Sequence, residues 1–498
     1  MTFRTGWATG DISPTLPVEL YGQYYQRVAE QLLDPLSAVA WATESETEGG
    51  HREQALLIGV DLLLVTRELH EELRRRLAQA IPEFDGSRLL MNAVHTHTGP
   101  GITIFRNWWE ANPRVMTLDA YRAFLLDRLT DVAVRAWNAR APGGIGFGLE
   151  WAVLGHCRRP VYADGTSEMY GAVNRPDFVG MEAGEDSGVE LIFTWDRERI
   201  LTGIVVNVAC PAQVLEAGRF VSADMAGELR RLLREALGRD VPVLFQVAPA
   251  GDLSPRDLTR NHQGTDAHFW DEAGMRILAG RLTRAVLDGL RKASGDGALD
   301  RAGAKAVVDW NPVFQHSVTS VDLPVQRVTA AEYDAAKEAI RALEAGNSDL
   351  KDDLCAAYRG FEARTLERER TGGQGPYDDK NEEFVRWHDN QAVMKRFQTQ
   401  DAEPVCPCEV HCLRLGEAVL ASNPFELFLE YSQRIKARSR AKRTMLVQLA
   451  GDCCGYLPTS RAMKHGGYSA MIINGRVGPE GGDKLVKTTL DAIEHVFG

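Results

Sequence analysis

Two histidines separated by one residue are the strongest candidates for chemistry in this sequence. His95 and His97 follow the apolar run 89–94 and precede Gly99-Pro100-Gly101. The run predicts a short buried strand, and on a strand the side chains at i and i+2 share a face. Both imidazoles would then project from the strand end, in a geometry that suits metal ligands or part of a ligand set. Two hydrogen-bonded structural histidines are the alternative.

Other predicted strands also end in polar residues. The strand predicted at 241–247 runs into Gly251-Asp252-Leu253-Ser254, where a hydroxyl and a carboxylate are exposed together, as in active-site loops. An Asx-turn followed by a helix cap is the structural alternative. The strand predicted from 418 ends at Glu426, which is either a helix-start carboxylate or a ligand at a strand end.

One arginine and one cysteine-rich segment are further candidates. Arg158 follows the strand predicted at 145–153, either as a surface salt-bridge donor or to bind a carboxylate or carbonyl. The segment 406–412, Cys-Pro-Cys-Glu-Val-His-Cys, has the closely spaced thiols and imidazole of zinc sites. We favour a strand at 410–420 with Gly416 in a turn, because the chain has no second cysteine pair with the spacing of a zinc finger.

The order of the predicted strands and helices that position these residues indicates an α/β fold. A strand at 56–65, a helix at 66–80 and the strand at 89–94 indicate partly parallel pairing in a mixed β-sheet core flanked by helices. A hairpin is predicted at 189–208, and a helix at 222–237 with Ser222 or Asp224 as its N-cap. We expect one catalytic domain over 1–498, with a charged peripheral helical insertion at 330–400.

Composition excludes some classes of function. The chain has 498 residues and a formal net charge of −12, which argues against a nucleic-acid partner. The N-terminus lacks the charged-then-apolar order of a signal peptide, and no apolar segment is long enough to span a bilayer. We expect a cytoplasmic protein without a membrane span, with its eight cysteines reduced.

Several separated motifs together resemble the neutral, non-lysosomal ceramidase family of zinc amidases. Residues 94–101 resemble the family's strand end, whose first histidine binds zinc and whose second lies beside the site. Residues 250–255 resemble the loop that carries its active-site serine, here Ser254. Residues 423–426 resemble the segment whose glutamate binds zinc, although Phe425 stands where glycine is usual.

The resemblance extends to two tyrosines and an arginine. Tyr456 and Tyr468 have the spacing of two family tyrosines, the first a zinc ligand and the second placed to hydrogen-bond the substrate. Arg158 falls where the family has an arginine near the site. The resemblance therefore implies Zn²⁺ as cofactor, with His95, Glu426 and Tyr456 among its ligands.

The departures from the family concern the metal and the substrate. The second zinc histidine is missing near position 210, and Cys210 is our expected replacement, since zinc accepts thiolates readily. His262, Asp224 or loss of the metal are the alternatives. We expect the chain to lack the family's carboxyl-terminal sandwich domain and secretion signal, and we therefore do not expect ceramide as the substrate.

The implied reaction is hydrolysis of an amide bond in a small polar N-acyl substrate by zinc-activated water. His97 or Asp252 would move the proton, and Ser254, Tyr468 and Arg158 would stabilise the oxyanion. Ser254 as nucleophile is an alternative mechanism. Carbohydrate cleavage, suggested by Arg106-Asn107-Trp108-Trp109, and non-catalytic binding are alternative functions. A homo-oligomer is compatible with all of these.

Overall fold

The computed structural model describes residues 2–46, 49–50, 52–103, 109, 112–260, 269–370 and 381–498. The first ten strands in chain order are β1 (Thr2–Asp11), β2 (Val18–Leu20), β3 (Arg27–Ala29), β4 (Ser37–Glu46), β5 (Arg52–Val60), β6 (Leu89–Ala93), β7 (Ala141–Trp151), β8 (His156–Cys157), β9 (Pro160–Tyr162) and β10 (Phe178–Met181). The following ones are β11 (Gly188–Asp196), β12 (Leu201–Val208), β13 (Val243–Val247), β14 (Leu253–Ser254), β15 (Phe314–Pro324), β16 (Val405–Leu415), β17 (Ala418–Ser422), β18 (Glu426–Leu427), β19 (Arg443–Val447) and β20 (Tyr456–Leu457).

The α-helices connect these strands and cover the sheets. They are α1 (Arg67–Ala80), α2 (Leu118–Asn138), α3 (Asp224–Leu237), α4 (Glu272–Ser294), α5 (Ala330–Gly346), α6 (Asp349–Asp352), α7 (Leu354–Arg370), α8 (Glu383–Thr399), α9 (Leu429–Lys436), α10 (Ser460–His465) and α11 (Pro479–Phe497). Within the described residues, no helix is both long enough and apolar enough to cross a lipid bilayer.

The larger of the two main sheets has eight strands in the order β13-β12-β11-β7-β1-β4-β5-β6. Its pairing is antiparallel except at its two ends, where β5 pairs with β6 and β12 with β13 in parallel. Each parallel pair is joined by a crossover helix, α1 in one case and α3 in the other, as parallel strands require. The predicted mixed sheet flanked by helices is confirmed, as is the hairpin of β11 and β12.

A second sheet, β15-β16-β17-β19, packs on one face of the large sheet. An apolar cluster from both sheets fills the space between them, and Trp41, Leu57, Leu420 and Met445 are among its fully buried members. The helices α1 to α4 cover the other face of the large sheet, and α9 and α11 cover the small one. This helix–sheet–sheet–helix arrangement buries the central strands on both faces, which explains their continuous apolar runs.

The start of α3 differs from the prediction. The N-cap position is Ala223, without a side-chain cap, so Ser222 and Asp224 were both wrong as N-caps. The Asp224 carboxylate instead accepts the Leu215 amide at 2.6 Å. The distant Asp34 carboxylate accepts the Ala223 amide at 2.8 Å. A residue remote in sequence thus satisfies an amide at the start of this helix, which local sequence cannot reveal.

The helices of the region 330–400 pack beside the other elements through an aromatic cluster. Tyr358, Phe361 and Phe384 from these helices contact Tyr24 and Tyr25, which lie between β2 and β3. Helix α8 also contributes Arg396 to the wall of the cavity described below. The division into one domain with an inserted arm stays a prediction.

Candidate active site

His95 lies just beyond the carboxyl end of β6, where the pairing with β5 has ended. Its amide donates to the carbonyl of Leu62 at 3.0 Å, and its backbone adopts the left-handed conformation with φ of 68°. Its Nδ1 lies 2.8 Å from the Leu63 carbonyl oxygen. A carbonyl only accepts, so Nδ1 carries the proton and Nε2 presents a lone pair. A non-glycine residue in this backbone region is strained, and such strain clusters at functional sites.

His97 lies beside His95, with the two Nε2 atoms 3.4 Å apart. The buried Arg27 guanidinium donates to the His97 carbonyl oxygen at 2.6 Å and to the Glu216 carbonyl oxygen at 2.7 Å. Gly22 covers the ring: a Cβ on this residue would lie 2.4 Å from His97 Nδ1, and its φ is +110°. Only glycine fits this close approach, so the loop after β2 closes directly over the histidine pair.

Glu426 and Tyr456 reach the same place on two short parallel strands, β18 and β20, in which they are direct partners. The Glu426 carboxylate lies 3.6 Å from His95 Nε2 through its Oε2 atom. The Tyr456 hydroxyl is hydrogen-bonded to Glu426. Gly251 packs against this pair of strands, because a Cβ there would lie 2.3 Å from the Glu426 carbonyl oxygen.

Arg158 lies between the Glu426 carboxylate and the loop that contains Gly251. Its Nη2 donates to the Tyr456 hydroxyl at 3.1 Å and to the Gly251 carbonyl oxygen at 2.9 Å. The same nitrogen lies 4.0 Å from Glu426 Oε2. Arg158 is buried, so its charge acts in a medium that screens it weakly. The neighbouring Arg159 has a different partner, the Glu182 carboxylate at 2.6 Å.

Ser254 and Asp252 lie behind this wall and are not among the described residues that line the cavity. The Ser254 hydroxyl is hydrogen-bonded to Tyr170, whose hydroxyl in turn lies 3.5 Å from Arg158 Nη1. The Asp252 carboxylate accepts the Leu429 amide at 2.8 Å, at the start of α9. Both residues therefore support the site from outside, the serine through Tyr170 and Arg158.

Cys210 lies apart from the histidine–glutamate pair. Its side chain is fully buried in the apolar cluster beneath α3 and α4, and its thiol donates to the Pro211 carbonyl oxygen at 3.6 Å. Burial raises the pKa of this thiol, which favours its neutral form. Its Sγ is not within 4.8 Å of both His95 and Glu426, because no such three-residue group occurs among the described residues. Asp224, the alternative ligand, is occupied by backbone amides at the start of α3.

Five of the candidates line one cavity of about 390 Å³, namely His95, His97, Glu426, Tyr456 and Tyr468. The Tyr468 and Tyr456 rings meet edge to face, with centroids 6.0 Å apart. Charged and aromatic side chains complete the wall, including Glu19, Trp109, Arg396 and Arg476. The remaining candidates from the tryptophan segment, Arg106, Asn107 and Trp108, and also His262, lie outside the described residues.

Burial sets the protonation states along this wall. It lowers the pKa of His95, against the opposing effect of Glu426, and it holds the pKa of His97 well below the usual range. Burial, then the Glu426 charge, raise the pKa of Tyr456 far above normal. Behind the wall, burial raises the pKa of Asp252 to about 6 and of Tyr170 to about 12. The wall therefore presents neutral imidazoles and a neutral phenol to the cavity at pH 7.

A group of three buried cysteines, Cys406, Cys408 and Cys454, is a candidate metal-binding group. Sequence spacing alone missed it, because it joins β16 to a loop 46 residues further along the chain. Tyr170 and Arg27 were also missed. An isolated tyrosine and an isolated arginine have no recognisable pattern, and their roles arise from tertiary contacts.

The fold is similar to that of two solved structures. One is the crystal structure of neutral ceramidase from Pseudomonas aeruginosa, with a TM-score of 0.66 and 16% sequence identity over 100% of this chain and 75% of that one. The chain has a neutral-ceramidase-like fold. The second is a ceramidase complexed with C2, with a TM-score of 0.65 and 16% identity over 99% of this chain and 75% of that one.

This ceramidase-like fold confirms the resemblance that the motifs indicated. No protein-family model matches the sequence, and no curated protein matches it. At 16% identity the likeness establishes the fold alone, so the chemistry must be argued from the side chains on the cavity wall.

Proposed function

We propose that the chain is a metal-dependent hydrolase that cleaves the amide bond of a small polar N-acyl compound in this cavity. The observation that carries the proposal is the 3.6 Å separation of His95 Nε2 and Glu426 Oε2 on the cavity wall. The fold that the chain shares with two ceramidases supports amide hydrolysis as the reaction class. The 390 Å³ volume is suited to a small substrate.

The side chains present fit a zinc ion. Nitrogen and oxygen ligands at about 2.1 Å from a tetrahedral zinc are roughly 3.4 Å apart, close to the observed separation. The hydrogen bond from His95 Nδ1 to the Leu63 carbonyl is of the kind that orients zinc-binding histidines. His95, Glu426 and Tyr456 would hold the ion, without Cys210. When bound, zinc would polarise the substrate carbonyl and make water reactive near pH 7.

Three further side chains have roles in the proposed reaction. Arg158 lies behind the described cavity wall, and through its contacts with Tyr456 and Glu426 its buried charge favours the negative charge that develops on the carbonyl oxygen. The neutral His97 imidazole accepts a proton at Nε2 and returns it to the leaving amine. Tyr468 donates a hydrogen bond from its hydroxyl to the substrate.

Ser254 and Asp252 act as positioning residues in this proposal. Their contacts with Tyr170 and with the start of α9 support that role better than direct attack or proton transfer. A nucleophilic Ser254 would require access to the cavity, whose described lining does not include it.

Metal analysis combined with a substrate screen tests the proposal. We expect zinc in the purified protein and hydrolysis of one or more N-acyl amino compounds, with ceramide and acidic glycans screened alongside. His95→Ala should remove activity and one metal ion per chain. His70→Ala is the control, because it removes another buried imidazole that hydrogen-bonds a carbonyl. Full activity in metal-free protein would contradict the proposal.

A non-catalytic binding protein is the second candidate, favoured because Cys210 forms no metal-ligand group with His95 and Glu426 among the described residues. Such a protein would bind compounds in the cavity without converting them. Carbohydrate cleavage is a third possible outcome of the same screen, because the Trp109 ring on the cavity wall could pack against a sugar. Turnover of a glycan but of no N-acyl compound would replace the amidase proposal.

A further inference from the structure

The three buried thiols of Cys406, Cys408 and Cys454 form the most concentrated group of soft metal ligands in the described part of the chain. The Sγ atoms of Cys406 and Cys454 are 3.4 Å apart, and those of Cys406 and Cys408 are 3.9 Å apart. All three ligand atoms lie within 4.8 Å of one another. None of these residues belongs to the histidine–glutamate pair.

Two different elements supply the thiols. Cys406 and Cys408 are at i and i+2 on β16, so they project from the same face of the strand. Cys454 follows β19 in the loop that leads to Tyr456, and its amide donates to the Pro424 carbonyl oxygen at 2.8 Å. The group therefore connects the small sheet to the loop that carries part of the cavity wall.

Arg67, the first residue of α1, holds the two elements together. Its guanidinium donates to the Pro407 carbonyl oxygen at 2.6 Å, between the two strand cysteines. It also donates twice to the Asp452 carboxylate, at 3.0 and 2.8 Å, two residues before Cys454. The approach of the thiols is thus supported by hydrogen bonds that do not involve sulfur, which pre-organises the group.

The spacing of the sulfur atoms matches a tetrahedral site. With zinc–sulfur bonds of about 2.3 Å, two thiolates on one tetrahedral zinc ion are roughly 3.8 Å apart. The observed separations of 3.4 and 3.9 Å lie on either side of that value. A disulfide would require the sulfur atoms to approach to about 2.05 Å, well below either separation.

We propose that Cys406, Cys408 and Cys454 bind a second metal ion of the zinc class, separate from the ion of the proposed active site. All three residues bind as thiolates, so each thiol that is still protonated loses its proton to solvent on binding. Arg67 and Arg476, which interact electrostatically with the thiol group, offset the net negative charge of three thiolates and one divalent ion.

The fourth position of this ion is taken by water from the cavity, which Cys454 lines. The Asp452 carboxylate is 3.9 Å from the Cys454 sulfur, but its nearer oxygen already accepts two hydrogen bonds from Arg67. Binding fixes the loop before Tyr456 against β16. The role we assign to the ion is therefore to hold that part of the cavity wall in place.

Cobalt substitution in the reduced full-length chain tests the proposal. Co²⁺ bound by thiolates absorbs in the near ultraviolet through charge transfer from sulfur, whereas nitrogen and oxygen ligands give no such band. We expect the band in the wild type and in His95→Ala, and its loss or severe weakening in Cys408→Ser. Because the band does not depend on His95, its appearance is independent of whether the proposed hydrolase activity exists.

Cys412→Ser is the matched control, since Cys412 is buried on the same strand but lies outside the group. It should keep the full band. Absence of the band in the reduced wild type, or equal bands in Cys408→Ser and Cys412→Ser, would overturn the proposal. Should Cys408→Ser fail to fold, zinc X-ray absorption of the wild type decides. Sulfur neighbours at about 2.3 Å support the site, and a spectrum with only nitrogen and oxygen neighbours rejects it.

Discussion

The histidine–glutamate wall and the three-cysteine group differ in how the chain assembles them. Both groups draw on loops at strand ends, and both reach the same cavity, one through His95 and the other through Cys454. The first presents nitrogen and oxygen, with its imidazole oriented by a carbonyl. The second presents sulfur, with its elements held by Arg67. The two proposals together assign to one cavity a ligand set for the reaction and a buried set that supports the wall.

The largest expected effect is on the histidine–glutamate wall. His95→Ala should lower kcat/KM by about 10³-fold or more, because a catalytic metal contributes several kcal/mol of transition-state stabilisation. The same variant should keep the thiolate–cobalt band. Steady-state kinetics and absorption spectra of one preparation check both statements. Loss of both properties together would show that the two sites are not independent.

Arg158→Lys should lower kcat by about 10²-fold with a smaller change in KM. Lysine keeps the charge but loses the planar fork that reaches both Tyr456 and the Gly251 carbonyl. Arg159→Lys is the control, because this equally buried neighbour pairs with Glu182 instead. It should lower the unfolding temperature and leave kcat near the wild-type value. Equal kcat losses in both variants would argue against a catalytic role for Arg158.

Arg67→Gln should weaken metal binding at the cysteine group by roughly 10- to 100-fold, since hydrogen bonds around a site have effects of that size. Competition with a chromogenic chelator measures the affinity. Arg75→Gln controls for the loss of one charge from the same helix, because Arg75 is exposed and pairs with Glu72. An unchanged affinity in Arg67→Gln would mean that the thiols assemble without this bridge.

The smallest expected effect concerns the strand that carries the cysteines. His411, whose Nε2 lies 3.6 Å from the carboxylate, and then the hydrogen-bonded Arg74 hold the pKa of Glu409 well below its usual range. This carboxylate therefore stabilises the fold above about pH 4.5, and the contribution is lost as pH falls further. Glu409→Gln should lower the free energy of unfolding by less than about 1 kcal/mol at pH 7. Below about pH 5 the free energy of unfolding of this variant should decrease less steeply with falling pH than that of the wild type. Denaturation curves at several pH values measure this.

A matched variant separates this pair from general surface charge. Glu417→Gln removes the carboxylate of a more exposed ion pair, in which the partner is Lys442. The free energy of unfolding of this variant should decrease below about pH 5 as it does in the wild type. A curve for Glu409→Gln that coincides with the wild type would show that the Arg74 contact does not stabilise β16.

The sequence predicted much of the candidate site, in part from polar residues at strand ends and, for Tyr456 and Tyr468, from the family resemblance alone. His95, His97, Glu426, Tyr456 and Tyr468 do line one cavity. The order of strands and helices was enough to predict a mixed sheet flanked by helices, since hydrophobic periodicity follows from the burial of each element. The second sheet and its position against the first required the three-dimensional structure, because a continuous apolar run indicates that a strand is buried on both faces but not which element covers each face.

Side-chain direction was the part that motifs did not determine. The carboxylate of Asp252 turns to the start of α9, and Ser254 faces Tyr170. Cys210 was predicted as a zinc ligand from the sequence resemblance, yet its thiol lies in an apolar cluster. A motif specifies which residue follows a strand, whereas the packing around the residue decides which way its side chain points.

The sequence by itself determined the class of fold, the strand-end motifs and the acidic, cysteine-poor character of the chain. Only the tertiary structure decided that Cys454 joins Cys406 and Cys408, and that Tyr170 and Arg27 support the cavity wall. The physical reason is the range of the interactions. Periodicity and turn chemistry act between residues a few positions apart, whereas metal ligands and buried hydrogen bonds join atoms that come together only when distant strands pack.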